Sequence, residues 1–596
     1  MVEGSNKTGF AISRRELLRD AAAAGAAATV LGPVMSRTTA RAAAGKRVAV
    51  LGGGMAGMTV AHELAERGFA VTVYERRAFG GKARSIDAPG AVTGGRLPLP
   101  GEHGFRFFPG FYHHIPDTMR RIPYTGNANG VYDNFVGVPL AVASLVGNDD
   151  LTVPFALRHR SSWQALTPEL LAKDLASVSN ILQDMPFTDL LYFANRLFVF
   201  LTSCDERRTK AWENTTWTTF AKPGGKSPAY RKLLVNGLTR VLVAARPDKA
   251  STRTIATMGE AFIYSLFGFG NDGMPDRVLN APTNEAWIAP WVTELQRLGV
   301  DLRLGWEVQS LDVTGGRISG VGVQDPKGVK GTIDADYYVC ALPPERAVKL
   351  WNPDLRRLDP QFGRMDSLFV DWMSGIQFFL KRDAPLGKAH MAYMDSPWAI
   401  TSINQAQFWN RDIPARYGDG SVRDILSVDI SDWDTPGVLF GKTARQCSPQ
   451  EVAQESWEQI KRHVNDRAKV RLRDEDLHSW FLDSGLKWDG ASGTYTNEDP
   501  LLINTAGSLA NRPEVRTNVP NFYLAGDYVK TNVDLATMEG ANEAGRKAVN
   551  ALLHDSGSSA APAQTYKLHR PREFDQAKKL DQARWKLGLR NVFDLG

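Results

Sequence analysis

Apolar runs separated by polar turns predict alternating strands and helices at the start of the chain. Residues 46–51 end in four consecutive apolar positions, as in a parallel strand that is buried on both faces. A glycine-rich turn at residues 52–57 leads into a helical pattern, and residues 70–74 form a second apolar run. This order of strand, turn, helix and strand predicts the first unit of a doubly wound α/β domain.

Later apolar runs at residues 300–304, 335–342 and 521–525 predict further strands. The long segments between them carry apolar patterns of their own, so we predict a second domain. A length of 596 residues is also too large for one simple core. The predicted pieces are residues 45–115, 275–345 and 500–553 for the discontinuous binding domain, 116–274 and 346–499 for the substrate domain, and 554–596 for a linker and basic helical tail.

The glycine-rich turn has the spacing that a dinucleotide requires. Gly52 permits the tight turn, Gly54 lets the backbone approach a pyrophosphate, and Gly57 allows close packing of the helix. Glu75 ends the second strand, where a carboxylate can accept hydrogen bonds from the adenosine ribose. These features predict a dinucleotide but do not separate FAD from NAD.

Three further segments resemble the flavin amine oxidase and phytoene desaturase superfamily. Residues 80–85 are similar to its GG-x-x-R-S segment, in which the arginine approaches the cofactor's phosphate and flavin region. Residues 521–527 and 536–545 resemble its late strand, with an aspartate on the ribityl chain, and the helix that covers the flavin. The segment around Val308 resembles the strand whose backbone meets the adenine. The resemblance covers most of residues 46–553.

The resemblance implies FAD as the cofactor. It also implies an α/β fold with a Rossmann-type, glutathione-reductase-like FAD-binding domain and an interleaved α+β substrate domain. The expected cofactor-binding residues are Gly52, Gly54, Met55, Ala56, Gly57, Glu75, Arg76, Gly81, Lys82, Arg84, Val308, Gly526, Asp527, Met538, Glu539 and Ala541.

Catalytic residues are harder to identify from the sequence. Glu102 and Arg106 lie in a segment that resembles the E-x-G-x-H-x-F segment of plant-type carotene desaturases, although His103 comes two positions earlier than the family histidine. Lys487 loosely matches the lysine that polyamine and monoamine oxidases hold near the flavin. A surface or structural role explains each of these three charges better than a catalytic one, so the sequence identifies no catalytic base.

Composition narrows the function classes. The three cysteines, Cys204, Cys340 and Cys447, are widely spaced and odd in number, so we predict neither a disulfide framework nor a metal site. The formal net charge is +6, from 71 basic and 65 acidic residues. Residues 1–44 and 554–596 each contribute +3, so the body is near neutral and we expect no nucleic-acid partner.

The two ends of the chain suggest location and contacts. Residues 13–19 resemble a twin-arginine motif and precede an alanine-rich stretch with A-x-A sites, so residues 1–44 predict export to a secreted, periplasmic or cell-envelope location. A leader that is not used would leave the protein cytoplasmic. At the other end, Ala577, Leu580, Ala583 and Leu587 share one helical face, which either docks on the protein itself or makes a peripheral membrane contact.

The apolar segment at residues 190–201 is too short to span a bilayer. It is expected either to be buried, or to line an apolar channel or dip into a bilayer surface.

Three functions remain open at this point. The first is an FAD-dependent oxidoreductase that removes hydride from a small-molecule apolar substrate, a long isoprenoid or polyene, by desaturation or redox cyclisation. The alternative is a secreted amine or amino-acid oxidase that uses oxygen, which predicts an aromatic pair facing the flavin and an acid or arginine in the pocket. The third is a non-catalytic flavoprotein.

Overall fold

A computed structural model describes residues 45–104, 106–154, 185–237, 239–240, 245–384, 386–466 and 470–594. The twin-arginine-like leader lies outside the described residues. The strands are β1 Arg47–Leu51, β2 Ala70–Glu75, β3 Ser85–Asp87, β4 Pro100–Glu102, β5 Phe135–Gly137, β6 Leu140–Ser144, β7 Leu151–Pro154, β8 Arg277–Leu279, β9 Asp301–Leu304, β10 Glu307–Thr314, β11 Arg317–Gln324, β12 Lys330–Ile333, β13 Tyr337–Cys340, β14 Phe369–Asp371, β15 Ser374–Leu380, β16 Ala389–Tyr393, β17 Ile400–Asn404, β18 Asp424–Ile430, β19 Leu477–Leu482, β20 Leu486–Asp489, β21 Thr494–Asn497, β22 Leu501–Ile503 and β23 Phe522–Leu524.

The α-helices of the described residues vary from short turns to an 18-residue helix near the C-terminus. They are α1 Met55–Glu66, α2 His114–Arg120, α3 Phe187–Leu201, α4 Asp205–Arg207, α5 Trp217–Ala221, α6 Thr252–Leu266, α7 Ala289–Arg297, α8 Pro344–Ala347, α9 Pro353–Leu358, α10 Pro360–Arg364, α11 Ile413–Arg416, α12 Pro449–Val464, α13 Met538–Asp555 and α14 Asp575–Lys586.

A five-stranded parallel sheet carries the glycine-rich turn. Its strand order is β23-β13-β1-β2-β9, so neighbouring strands come from distant parts of the chain, as discontinuous apolar runs predict. Helices α1 and α13 pack closely together beside it. A Cβ atom on Gly545 would lie 2.9 Å from the Ala56 carbonyl oxygen, which explains why α13 carries a glycine at this contact. The predicted mixed α/β fold is confirmed.

A seven-stranded sheet forms the second large layer, in the order β19-β15-β18-β17-β16-β6-β7. Its pairs are antiparallel except β16 with β6, which run parallel. All of these strands lie within the two predicted substrate-domain segments; the exact domain boundaries stay a prediction. Strand β15 is buried along its whole length, and it lies between β19 and β18, in the interior of the sheet.

Helix α3 contains the apolar segment at residues 190–201 and is packed in a separate core with α5 and α6. Phe193 and Ala194 are almost fully buried, which agrees with the expectation of burial for this segment. The C-terminal tail returns to α3, where Phe593 lies 4.8 Å from the Phe198 ring between centroids. Arg196, the one basic residue of the helix, pairs with Asp594 at 2.6 Å.

Candidate cofactor cleft and substrate chamber

A cavity of about 590 Å³ opens at the carboxyl ends of the parallel strands, where doubly wound sheets bind their ligands. We call it the cofactor cleft. The predicted cofactor-binding residues that line it are Gly52, Gly54, Met55, Ala56, Glu75, Arg76, Gly81, Lys82, Arg84, Val308, Gly526, Asp527, Met538 and Ala541. The topology therefore brings residues from across the chain to one cavity, and their direct contact with a cofactor stays a prediction.

The glycine-rich turn in this wall depends on close backbone contacts. Gly52 has a φ of 106°, a left-handed conformation that favours glycine. A Cβ atom on Gly57 would lie 1.9 Å from the Gly52 carbonyl oxygen. Helix α1 begins directly after Gly54, which provides no side-chain cap. Its first backbone amides therefore face the cleft as donors for an anion.

Glu75 connects the end of β2 with this turn. Its carboxylate accepts hydrogen bonds from the Gly53 amide at 2.8 Å and from the Arg77 amide at 2.7 Å. These bonds fix the carboxylate in the cleft wall beside the helix N-terminus. The arrangement suits an acid that receives ribose hydroxyl groups.

Charged groups of both signs surround the middle of the cofactor cleft. The Lys82 ammonium lies 3.0 Å from the Glu345 carboxylate. Burial lowers the pKa of the Arg84 guanidinium. Burial also raises the pKa of Asp527, against the opposing charges of Lys82 and Arg512. The wall therefore holds partly desolvated basic and acidic groups, as a site for a pyrophosphate and a polyol chain requires.

Two predicted cofactor-binding residues do not line the cleft. Gly57 lies behind the cleft wall, where the absence of a side chain lets α1 approach the glycine-rich turn. Glu539 is fully buried and accepts hydrogen bonds from the His114 and Ile115 amides at the start of α2. Burial alone would raise the pKa of Glu539, but its bonds to His114 hold the pKa below the ordinary value. The structure therefore gives the Glu539 side chain a role in joining α13 to α2, and a contact of this residue with the cofactor stays a prediction.

The catalytic candidates separate in the structure. Arg106 lines the cofactor cleft and donates to the Lys82 carbonyl at 2.5 Å. Glu102 lies behind the wall, where its carboxylate accepts a hydrogen bond from the Thr283 hydroxyl at 2.7 Å. Burial raises the pKa of Glu102, although the positive charge of Arg106 opposes this shift. Lys487 is exposed on the β20–β21 hairpin and is absent from the wall. The expected match of Lys487 to a flavin-facing lysine is therefore wrong.

His103, which the shifted motif left without a role, lies in the wall of the cofactor cleft. Its Nδ1 is 2.6 Å from the Asp483 carboxylate, which orients the ring, and its buried Nε2 has no hydrogen-bond partner among the described residues. An oriented imidazole with an open nitrogen is a ready hydrogen-bonding partner for a bound ligand. The sequence could not find Asp483, which lies 380 residues away.

A smaller cavity of about 140 Å³ adjoins the cofactor cleft. We call it the substrate chamber. Its walls are mainly apolar, with contributions from α6, from β22 and from the segment before α13. The residues that line both cavities are Phe107, Tyr112, Met373, Asp429, Leu501, Ala536 and Thr537. The shared wall makes the chamber a route by which a substrate could reach the ligand in the cofactor cleft.

Asp429 is the one charged residue among the described residues that line the substrate chamber. It lies on β18 opposite Gly375 and Thr401, and a Cβ atom on Gly104 would come 2.6 Å from its Oδ1. Sequence reasoning missed it. The sequence does contain a signal for it, which is the alternation of polar and apolar residues at positions 429–431. Asp429 and Ser431 line the chamber, whereas Ile430 between them is buried in the core.

The cofactor cleft fits a flavin dinucleotide on its own geometry. The uncapped N-terminus of α1 and the basic side chains of Lys82 and Arg84 suit the pyrophosphate, and Glu75 suits the ribose. The N-terminus of α13, at Met538, reaches the end of the cleft that adjoins the chamber. Among the described residues, no group of three or more histidine, cysteine, aspartate or glutamate side chains is arranged to hold a metal ion.

Comparison with known proteins agrees with this geometry. The flavin-containing amine oxidoreductase family matches residues 263–553, and the NAD(P)-binding Rossmann-like domain matches residues 50–122. The chain is 25% identical to zeta-carotene desaturase of Synechocystis sp. over 541 residues, which covers 85% of this chain and 97% of that protein. It is also 25% identical to carotenoid phi-ring synthase of Streptomyces griseus, covering 86% of this chain and 88% of that protein.

A solved structure shows the same fold. Cyclohexylamine oxidase from Brevibacterium oxydans superimposes with a TM-score of 0.54 and 15% identity, covering 86% of this chain and 99% of that one. The cleft geometry, the two family matches and these relatives support the same cofactor and reaction class. The chain is an FAD-dependent oxidoreductase that is similar to members of the flavin amine oxidase and phytoene desaturase superfamily.

Proposed function

We propose that this oxidoreductase removes hydride from a long, largely apolar isoprenoid or polyene, by desaturation or redox cyclisation. The observation that carries the proposal is the substrate chamber, which shares a wall with the cofactor cleft. Of the described residues that line the chamber, only Asp429 is charged. Apolar walls bind a hydrocarbon by burying its surface and offer little to a strongly polar substrate. The relatives named for carotene desaturation and for ring synthesis support the same substrate class.

The residues of the chain have separable tasks in such a reaction. FAD bound in the cofactor cleft would accept the hydride. The apolar walls, among them Met258, Phe262 and Ile255, would orient the substrate and exclude water. Loss of hydride from carbon leaves a cation, and forming a double bond then requires loss of a proton from the adjacent carbon. Asp429 is the carboxylate of the chamber wall that is placed to accept that proton.

Amine oxidation is the second candidate, because one observation favours it. Asp429 lies in the shared wall together with Phe107 and Tyr112, so an acid and two aromatic residues occur where an amine oxidase would need them. An ammonium group could pair with this carboxylate. The remaining chamber residues are neutral, which fits a hydrocarbon better than a polar amine.

Anaerobic reduction of the purified FAD-loaded enzyme distinguishes the candidates. Bleaching of the flavin absorption band is measured with carotenes and other polyenes in detergent micelles, and separately with mono- and diamines and amino acids. We expect bleaching by a polyene and recovery of the band with an added quinone or oxygen. Rapid bleaching by a simple amine, with peroxide formed after air is admitted, would overturn the proposal. No bleaching by any substrate class would favour a non-catalytic flavoprotein.

We also propose export by the twin-arginine route, supported by residues 13–19 and by the need to acquire FAD before crossing a membrane. Arg14→Lys combined with Arg15→Lys should retain the protein in the cytoplasm while its flavin content stays unchanged. Fractionation of cells that express both versions measures this. Equal export of the variant would contradict the proposal.

A further inference from the structure

The C-terminal helix α14 is attached to the protein through a polar anchor. The Asp581 side chain is fully buried, and its carboxylate accepts from the Cys204 amide at 2.9 Å and from the Arg207 Nε at 3.0 Å. The tail after the helix is held as well, because Arg207 donates to the Leu589 carbonyl at 2.8 Å. Charged and backbone groups therefore hold α14 against α4.

Leu580 of α14 and Leu587 at its C-terminal end point away from this anchor. Leu580 is 50% exposed and Leu587 is 74% exposed, and Leu589 and Val592 follow at 45% and 40%. A helix on the surface of a soluble protein normally turns its apolar face inward. Here Leu580, Ala583 and Leu587 of the stripe predicted from the sequence are exposed, and the one fully buried residue of the helix is an aspartate.

This exposure is concentrated in one segment. Of the twelve large apolar side chains that are exposed among the described residues, four lie within residues 580–592. The exposed charged residues between positions 576 and 592 are all basic, namely Lys579, Lys586 and Arg590. We call residues 579–592 the tail surface.

We infer that the tail surface binds the face of an anionic lipid bilayer. Leucines that enter the acyl boundary and basic residues that meet anionic headgroups are the combination by which amphipathic segments lie on membranes. The exposed basic side chains lie next to the leucines in sequence, so both groups can engage one surface. Among the described helices, none is long and apolar enough to cross a membrane. The inference stands independently of the proposed substrate.

Vesicle flotation with the FAD-loaded full chain tests the apolar part. The vesicles contain either phosphatidylcholine alone or equal parts of phosphatidylcholine and phosphatidylglycerol. We expect the wild-type protein to float with the anionic vesicles, and Leu580→Ser with Leu587→Ser to lower the partition coefficient roughly tenfold or more. The matched control, Val329→Ser with Leu439→Ser, removes side chains of 61% and 48% exposure elsewhere and should float like the wild type.

The basic residues are tested by Lys579→Glu with Lys586→Glu. We expect partition into the anionic vesicles to fall by roughly fivefold for each lysine, and added salt to weaken the wild type but not the variant. Flavin content and thermal unfolding check that each variant is folded. The inference fails if the wild type does not float, or if the leucine variant floats as well as the wild type. It also fails if the wild type is a dimer that the leucine variant converts to monomers, because the surface would then join two copies.

Discussion

The cofactor cleft and the substrate chamber share a wall, but the groups that line them differ in polarity. The cleft is lined by glycines, backbone amides and charges of both signs, including Glu75, Lys82 and Arg84. In the part of the chain that the structure describes, the chamber is lined by apolar and neutral side chains, with Asp429 as the one charged residue. The cleft therefore recognises its ligand by the position of the backbone, whereas the chamber recognises its ligand by the apolar surface that it buries. The two regions should respond to different substitutions.

The largest effect is expected at Gly57, where the backbone of α1 lies against the backbone of the glycine-rich turn. Gly57→Ala places a Cβ atom 1.9 Å from the Gly52 carbonyl oxygen, which forces the backbone apart and should destabilise the fold by at least about 3 kcal/mol. We expect little soluble protein and no bound FAD, measured by flavin absorbance of the purified fraction.

Gly54→Ala is the matched control for this glycine. Its φ of −76° suits alanine, and its Cβ atom would meet only the Gly81 Cα at 3.9 Å. The variant should therefore fold, and it should lose FAD affinity because the methyl group stands between the backbone and the pyrophosphate. Stable, FAD-replete Gly57→Ala protein would contradict the packing argument.

The second-largest effect is expected at Asp429, and it concerns the rate at which a polyene reduces the flavin. Asp429→Asn keeps the shape of the side chain but removes the proton acceptor, so flavin bleaching by a polyene should slow about a hundredfold. Stopped-flow absorbance under anaerobic conditions measures the rate. Flavin content should not change, since Asp429 lies at the edge of the cleft that adjoins the chamber.

Ser431→Ala, in the same chamber wall, is the control for Asp429→Asn and should bleach at the wild-type rate. If Asp429→Asn also reacts at the wild-type rate, Asp429 is not the proton acceptor. If polyenes fail in the wild type and Asp429→Asn instead prevents bleaching by an amine, amine oxidation replaces the proposed function.

The same contrast explains what could be predicted from the sequence. The cleft could be predicted because its chemistry is local: Gly52, Gly54 and Glu75 lie within one strand, turn, helix and strand unit. The late segment around Asp527 could be placed beside them only through the resemblance to known flavoproteins. The orientation of the Glu539 side chain could not be predicted, since the first turn of α13 has one side toward the cleft and another toward α2, and a sequence does not say which residue takes which side.

The chamber could not be predicted, because it forms where distant segments meet. Thr254 on α6, Asp429 at the end of β18 and Leu501 on β22 lie in the same wall, and none belongs to a local motif. The same holds for His103, whose orienting partner Asp483 is distant in sequence. The C-terminal helix shows a third reason why a sequence is not sufficient. The sequence predicts the apolar stripe of this helix, but the side toward which the stripe faces depends on the buried hydrogen bond from Arg207 to Asp581.

Glu75 gives the third effect, which is confined to cofactor affinity. Glu75→Ala removes the expected ribose acceptor together with the bonds to the Gly53 and Arg77 amides. We expect the FAD dissociation constant to rise about thirtyfold, or about 2 kcal/mol, measured by fluorescence titration of the apoprotein. Glu307→Ala, an acid elsewhere in the cleft wall, should bind FAD normally. Undiminished flavin content in Glu75→Ala protein would refute the assignment.

The smallest effect should appear in the shared wall itself. Met373 lines both cavities and is partly exposed, so Met373→Trp narrows the passage without filling a closed core. A rigid indole should raise the KM for a long polyene up to about tenfold and leave FAD affinity unchanged, whereas Met373→Leu keeps the volume and should behave like the wild type. Steady-state kinetics with polyenes of two lengths measures this. If the tryptophan variant weakens FAD and leaves the KM unchanged, Met373 belongs to the cofactor cleft alone, and the chamber does not deliver the substrate.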